Sequence, residues 1–346
     1  MKKFIKSKLT IAIFVVVGLF SISATIGNDY FEVSKNLDIF ASLYKELTSN
    51  YVEEIDPSQL MRTGIDAMVA SLDPYTNFIS EADIEGHRLN ITGKYGGIGA
   101  LIRNQDEKIL IVEPFEGFSA EKAGIKAGDI IESINGISVT GKNSDDVTKL
   151  LKGQPGTEVT ITIRRPYANK TLSETLERQE IKIDNVPYSG IVENGIAYVK
   201  LTQFTERAGK NVKDALKKLK SENEVKGIIL DLRGNGGGLL SEAINVTNVF
   251  VDKGTYVVST KGRIANSNRS FKTLFAAEDV TTPLAVLTDR GSASASEIVS
   301  GAIQDIDRGI VVGQRTYGKG LVQNTKNLNY QTKLKLTTAR YFLPSG

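Results

Sequence analysis

The chain has 346 residues, 40% apolar and 24% charged, which is room for two or three domains with their own cores. Its net charge of +3 misleads: without Lys2, Lys3, Lys6 and Lys8 the count is 39 basic against 40 acidic residues. That balance, with no basic stripe interleaved with aromatics, excludes nucleic acid as a partner. There is no cysteine and one histidine, His87, so a disulfide framework and a cysteine nucleophile are excluded too.

Residues 9–28 carry no charge, and Ile11 to Phe20 is almost wholly apolar behind four lysines. This is the layout of a signal peptide or an uncleaved signal anchor over residues 1–28, rather than of a buried helix. About 20 apolar residues suffice to span a bilayer. Ser21, Ser23 and Ala24 permit cleavage, so cleavage and membrane anchoring both stay open. Lysines held in the cytoplasm place everything after Asp29 on the extracytoplasmic or periplasmic side.

Residues 29–92 read as a helical segment. Leu37, Phe40, Tyr44 and Leu47 share one helical face. Asp56-Pro57 announces a second helix carrying Leu60, Ile65, Met68 and Leu72, which Asp73-Pro74-Tyr75 ends. Residues 93–184 read as short strands at Ile109 to Val112, Asp129 to Ile134 and Glu158 to Ile163. The turn pair Asn135-Gly136 and a short amphipathic helix from Asp145 to Leu151 lie among them. From 185 onward strands and helices alternate. Strands are expected at 196–201, 227–232, 284–288 and 309–312, helices at 206–219, 239–250 and 295–306, and an extended run at 332–342. Such alternation implies an α/β fold with a parallel sheet.

The residues that carry chemistry are Gly291-Ser292-Ala293-Ser294-Ala295-Ser296-Glu297 and Tyr317-Gly318-Lys319-Gly320. A serine hydroxyl is a poor nucleophile until a base removes its proton. With His87 the sole histidine, lysine is the expected base, and only when neutral, which burial favours. The serines sit where a strand turns into a helix, beside backbone N–H groups that stabilise an oxyanion. A second glycine-rich turn, Gly234-Asn235-Gly236-Gly237-Gly238, follows the strand ending at Asp231-Leu232 and opens another helix. Taken singly, Ser294-x-x-Glu297 is also a capping box, and a glycine-rich turn more often binds phosphate. The Walker and dinucleotide spacings are absent.

Five stretches together resemble the C-terminal processing peptidases, also called tail-specific proteases. They are Leu72-Asp73-Pro74-Tyr75-Thr76, Tyr95-Gly96-Gly97-Ile98-Gly99, Asp231 to Gly238, Gly291 to Glu297, and Tyr317 to Gly320. The resemblance implies a crotonase/ClpP-like α/β protease core (185–346), a helical N-terminal segment and an inserted PDZ domain (93–184). It implies a Ser-Lys dyad: Ser294 as nucleophile, Lys319 as base, and Gln323 orienting the lysine. Oxyanion donors fall at Ala295 and at Gly237 or Gly238. The PDZ loop Gly96-Gly97-Ile98-Gly99 would receive the C-terminal tails of protein substrates.

No metal or organic cofactor is implied. A homo-oligomer or adaptor partner is left open. Ser292 and Ser296 are rival nucleophiles, Ser296 better placed as a helix cap. Asp305 reads as a salt-bridge partner and His87 as a surface residue of a third short helix. Gly236 departs from the family, where proline is frequent, and the chain stops at Gly346, sooner than the family pattern. Two rival functions are a silent PDZ adaptor that binds tails and a crotonase-like acyl-CoA enzyme. Retention of both Ser294 and Lys319 argues against the first, and a PDZ domain behind a leader argues against the second.

Overall fold

The structure is a computed structural model that describes residues 30–346. The expected leader at 1–28 lies outside the described residues. Among the described residues no helix is long and apolar enough to cross a membrane. The chain divides into two compact units, one ending at Leu72 and one running from Asp73 to Gly346.

In the first unit, helix α1 runs over 30–50 and α2 over Pro57–Ala70. The Asp56 carboxylate accepts the N–H groups of Ser58 and Gln59, two donors the helix itself leaves free. Pro57 follows at the first helical position, where a missing N–H costs nothing.

The second unit opens with β1 (Asn77–Ile79), α3 (Ile84–Thr92) and β2 (Lys94–Gly97). Next come β3 (Ala100–Gln105), β4 (Lys108–Pro114), α4 (Ser119–Lys122), β5 (Ile130–Ile134) and β6 (Ile137–Ser138). α5 (Ser144–Leu151), β7 (Glu158–Arg165), β8 (Lys170–Glu177) and β9 (Gln179–Lys182) complete this part. Its sheet has the order β3-β4-β5-β7-β8, with β6 on β5, and β9 returns to pair with β2. Alternation along β7 puts Val159, Ile161 and Ile163 into a core shared with Val147 and Leu151 of α5. The buried Arg178 guanidinium donates to the carbonyls of Leu150 and Leu151, which α5 leaves unpaired at its end.

The remainder comprises β10 (Tyr188–Val192), β11 (Ile196–Lys200), α6 (Ala208–Glu222), β12 (Gly227–Asp231), α7 (Leu240–Phe250) and β13 (Tyr256–Lys261). After these come β14 (Arg269–Lys272), β15 (Leu284–Thr288), α8 (Ala295–Asp305), β16 (Ile310–Gly313), β17 (Leu321–Asn327) and β18 (Lys333–Phe342). The central sheet is ordered β10-β11-β12-β15-β16, parallel from β11 to β16, as the strand–helix alternation predicts. A second sheet, β1-β18-β13-β14 with β17 on β18, is antiparallel and was not expected beyond its last strand. Turns leaving the carboxyl ends of β12, β15 and β16 gather at one edge of the central sheet. In open α/β sheets that edge is where ligands bind.

Candidate active site

Three turns build the site, and buried polar side chains lace them together. The first, 232–239, leaves β12. Its Asn235 is fully buried and donates through Nδ2 to the Leu201 carbonyl, while its Oδ1 accepts the Gly237 N–H. The Asn235 carbonyl accepts the Ala293 N–H (3.1 Å) and the Ser296 hydroxyl (2.8 Å), joining this turn to the one after β15. Asp289 adds to the join, its Oδ1 accepting N–H groups of Gly234, Gly291 and Ser292.

The second turn carries the serines. Ser292 and Ser296 are both fully buried, and their hydroxyls donate to the carbonyls of Leu232 and Asn235. The N-cap of α8 is Ser294, not Ser296 as the sequence reading had it, because Ser296 is committed across to Asn235. Ser294 has φ 55° and ψ −110°, a conformation that costs a non-glycine residue about 1–3 kcal/mol and persists only where its surroundings impose it. Those surroundings are close. A Cβ on Gly237, itself at φ 102°, would stand 2.8 Å from the Ala293 carbonyl oxygen and 2.9 Å from Ser294 Cβ. Only glycine lets the two turns touch there.

The third turn, 314–320, leaves β16, and Glu297 holds it. The Glu297 carboxylate is 8% exposed. Its Oε2 accepts the Ser294 N–H at 2.6 Å and the Lys319 N–H at 2.9 Å. Its Oε1 accepts the Thr316 hydroxyl and the Gly318 N–H. The backbone nitrogens of Ser294 and Lys319 therefore lie no more than 5.5 Å apart, the sum of their distances to one oxygen. The sequence signalled Glu297 only as the end of a capping box; its reach to the lysine turn depends on where β16 lies.

One cavity of about 760 Å³ is lined by Ser294, Ala295, Gly237, Gly238, Lys319 and Gln323, the six residues read from the sequence for the protease site. Burial, then the Lys335 ammonium, push the Lys319 pKa down, while Asp73 and Glu297 pull the other way. Its Nζ stands 4.5 Å from the centroid of the Tyr75 ring. Gln323 lines the cavity but donates its amide to the Thr337 hydroxyl at 3.2 Å. Of the oxyanion candidates, Gly237 has spent its N–H on Asn235. The N–H groups of Gly238 and Ala295 have no acceptor among the described residues.

Other expectations fall elsewhere. Asp305 accepts the Ser345 N–H and forms no ion pair among the described residues, so the salt-bridge reading is corrected. His87 is on α3, as expected, but its Nε2 is buried and the residue lines the cavity. Gly96, Gly97, Ile98 and Gly99 do not line this cavity; they form the end of β2, which pairs with β9, and the link from it to β3. The Gly96 N–H donates to Glu85, whereas those of Ile98 and Gly99 have no acceptor among the described residues. Gly99, at φ 73°, is pressed against Phe118, and β3 beyond it is an edge strand facing α5.

Comparison with known proteins agrees with this construction. The profile of peptidase family S41 matches residues 195–346, and a PDZ domain profile matches 111–165. The carboxy-terminal-processing protease of Bartonella bacilliformis is 37% identical over 315 residues, spanning 90% of this chain and 72% of that one. The chain belongs to the carboxy-terminal-processing proteases of peptidase family S41. It is thereby a serine-type peptidase with a PDZ domain and an S41 α/β core. A probable CtpA-like serine protease of Staphylococcus aureus is 35% identical over 317 residues, and this chain spans 62% of its length. Among solved structures, a photosystem II D1 C-terminal processing protease is 29% identical with a TM-score of 0.48, covering 89% of this chain and 88% of that one.

Proposed function

We propose that this protein is an extracytoplasmic endopeptidase that captures protein C-terminal tails on its PDZ domain and cleaves them with a Ser294–Lys319 dyad. One observation supports it above others. Of the three serines in the motif, two are buried and bonded to carbonyls, while Ser294 lines the cavity that Lys319 also lines.

Ser294 Oγ attacks the scissile carbonyl as the Lys319 amine takes its proton. The tetrahedral oxyanion is held by the N–H groups of Ala295 and Gly238, the free donors flanking the strained serine. Collapse expels the amine fragment with the proton from Lys319. Water, with Lys319 again as base, then hydrolyses the ester on Ser294. Gln323 acts at one remove, steadying β17 through Thr337 at the edge of the cleft.

For the tail, the unspent N–H groups of Ile98 and Gly99 suit a terminal carboxylate, with Gly96 and Gly97 shaping the loop. The peptide adds as a strand along β3. The leader at 1–28 is the support for an extracytoplasmic location. The segments 29–92, 93–184 and 185–346 then serve as support, tail receptor and protease.

The test is incubation of wild type, Ser294→Ala and Lys319→Ala with an unfolded protein bearing an apolar C-terminus. Fragments are expected from wild type alone, at a rate that rises with pH. Binding without fragments by all three would leave the adaptor reading in place.

A further inference from the structure

The cleft that holds Ser294 has cations on its wall and no carboxylate. Its charged or imidazole-bearing lining residues are Lys319, Lys335 and His87. Lys319 has its role in the proposed chemistry; the other two do not. Strand period two on β18 puts Lys333, Lys335 and Thr337 on one face, before the irregularity that shifts the register ahead of Ala339. Thr337 meets Gln323 from that face, and Lys335 and Tyr341 line the cleft. Across the sheet Lys335 is flanked by Asn77 of β1 and Thr325 of β17, both uncharged.

None of Lys319, Lys333 and Lys335 has an ion-pair partner among the described residues. The two carboxylates that act on Lys319, Asp73 and Glu297, are already engaged. Asp73 accepts from the Tyr75 and Thr76 N–H groups and the Thr76 hydroxyl, and Glu297 from the donors given above. From α3, His87 presents a buried Nε2 with no hydrogen-bond partner. Burial, and then Lys333 and Lys335, keep that imidazole neutral, so it can accept or donate a bond without adding charge.

A half-buried ammonium without a counter-charge, beside an unsatisfied imidazole nitrogen, is unfavourable in the empty protein. In a cleft with low-dielectric walls it also focuses a positive field on whatever enters. We propose that Lys335, with His87 near it, forms a subsite that binds a carboxylate of the peptide lying in the cleft, supplied by an acidic side chain or by the chain terminus. This rests on the proteolytic reading of the cleft and deepens it, because it assigns a substrate preference.

The experiment uses matched peptides that place Glu or Gln near the scissile bond, each with a free-acid or an amidated C-terminus. Cleavage is read as kcat/KM for wild type, Lys335→Gln and Lys335→Arg at low and high salt. Binding of the same peptides is read by fluorescence anisotropy on full-length Ser294→Ala, with and without Lys335→Gln, so the result stands even if no peptide is cut. A preference of about tenfold for the carboxylate is expected, the scale of one charge-assisted hydrogen bond. It should be kept by Lys335→Arg, abolished by Lys335→Gln and weakened by salt. Preference for the Glu peptide assigns a side-chain carboxylate; a preference confined to free-acid peptides and sensitive to Lys335 assigns the terminus. Equal handling of acid and amide by wild type, or a preference that survives Lys335→Gln, overturns the proposal. Failure of cleavage with the binding preference intact would count against the proteolytic reading alone.

Discussion

Replacing Glu297 with glutamine should damage both stability and turnover, and the structure sets the size. The carboxylate accepts from five donors: Oε2 from the Ser294 and Lys319 N–H groups and, at 3.5 Å, the Tyr341 hydroxyl, Oε1 from the Thr316 hydroxyl and the Gly318 N–H. An amide keeps one acceptor and turns the other into a donor. The less costly orientation keeps oxygen on Ser294 and Lys319 and turns NH₂ toward Thr316, whose hydroxyl can rotate to accept. The Gly318 N–H is then orphaned. Loss of one charge-assisted bond and one stranded buried donor together come to about 3–5 kcal/mol. The lysine turn loses its register with the serine turn, and a misplacement near 1 Å costs about a hundredfold in rate. Denaturant unfolding by circular dichroism and initial cleavage rates on an unfolded protein would measure both. Wild-type midpoint and wild-type rate in Glu297→Gln would refute the reasoning.

Gly237→Ala should lose at least tenfold in kcat while costing about 1–3 kcal/mol in stability, because its φ is 102° and its Cβ would press on Ser294; steady-state kinetics beside a melting curve checks it. Lys319→Met should raise the melting temperature near neutral pH. Burial lowers the Lys319 pKa, so the charged form costs stability below the folded value, and that cost fades as pH climbs toward 10.5; a melting temperature below wild type would contradict this. Burial alone would raise the Asp279 pKa, but Lys220, the Thr282 hydroxyl and the Thr281 and Thr282 N–H groups outweigh it and bring it to about 2. Against an ordinary 3.8 that contributes about 2 kcal/mol, present above pH 3.8 and lost as pH falls toward 2. Asp279→Asn should therefore be less stable at neutral pH and approach wild type in acid, as urea midpoints across pH would report. Lys335→Gln removes a charge that lowers the Lys319 pKa, so the acid limb of kcat/KM should move to higher pH; an unmoved limb would show that Lys335 does not reach the base.

Much of the central sheet was legible because its strands are short apolar runs between amphipathic helices, and β11, β12, β15, α7 and α8 fall within a residue or two of expectation. The antiparallel sheet was mostly hidden. β17 reads Leu-Val-Gln-Asn-Thr-Lys-Asn, with too little apolar alternation to signal a strand until β18 lies beside it. In the site, glycine-rich turns and the serine cluster were visible as local patterns. The links between turns were not, since Asn235 and Glu297 act on residues about 60 and 20 positions away through tertiary contact. His87 was read as a surface residue because nothing local tells that α3 packs against the cleft.

Acylation followed by intact-protein mass spectrometry reaches the dyad most directly, using an activated peptide ester and rapid quenching across pH. The account requires one acyl group, mapped to Ser294, forming at a rate that rises with pH. Lys319→Ala should acylate at least a hundredfold more slowly, within the scale expected for loss of a general base. An acyl group on Ser292 or Ser296, or wild-type rate and pH profile in Lys319→Ala, would contradict it.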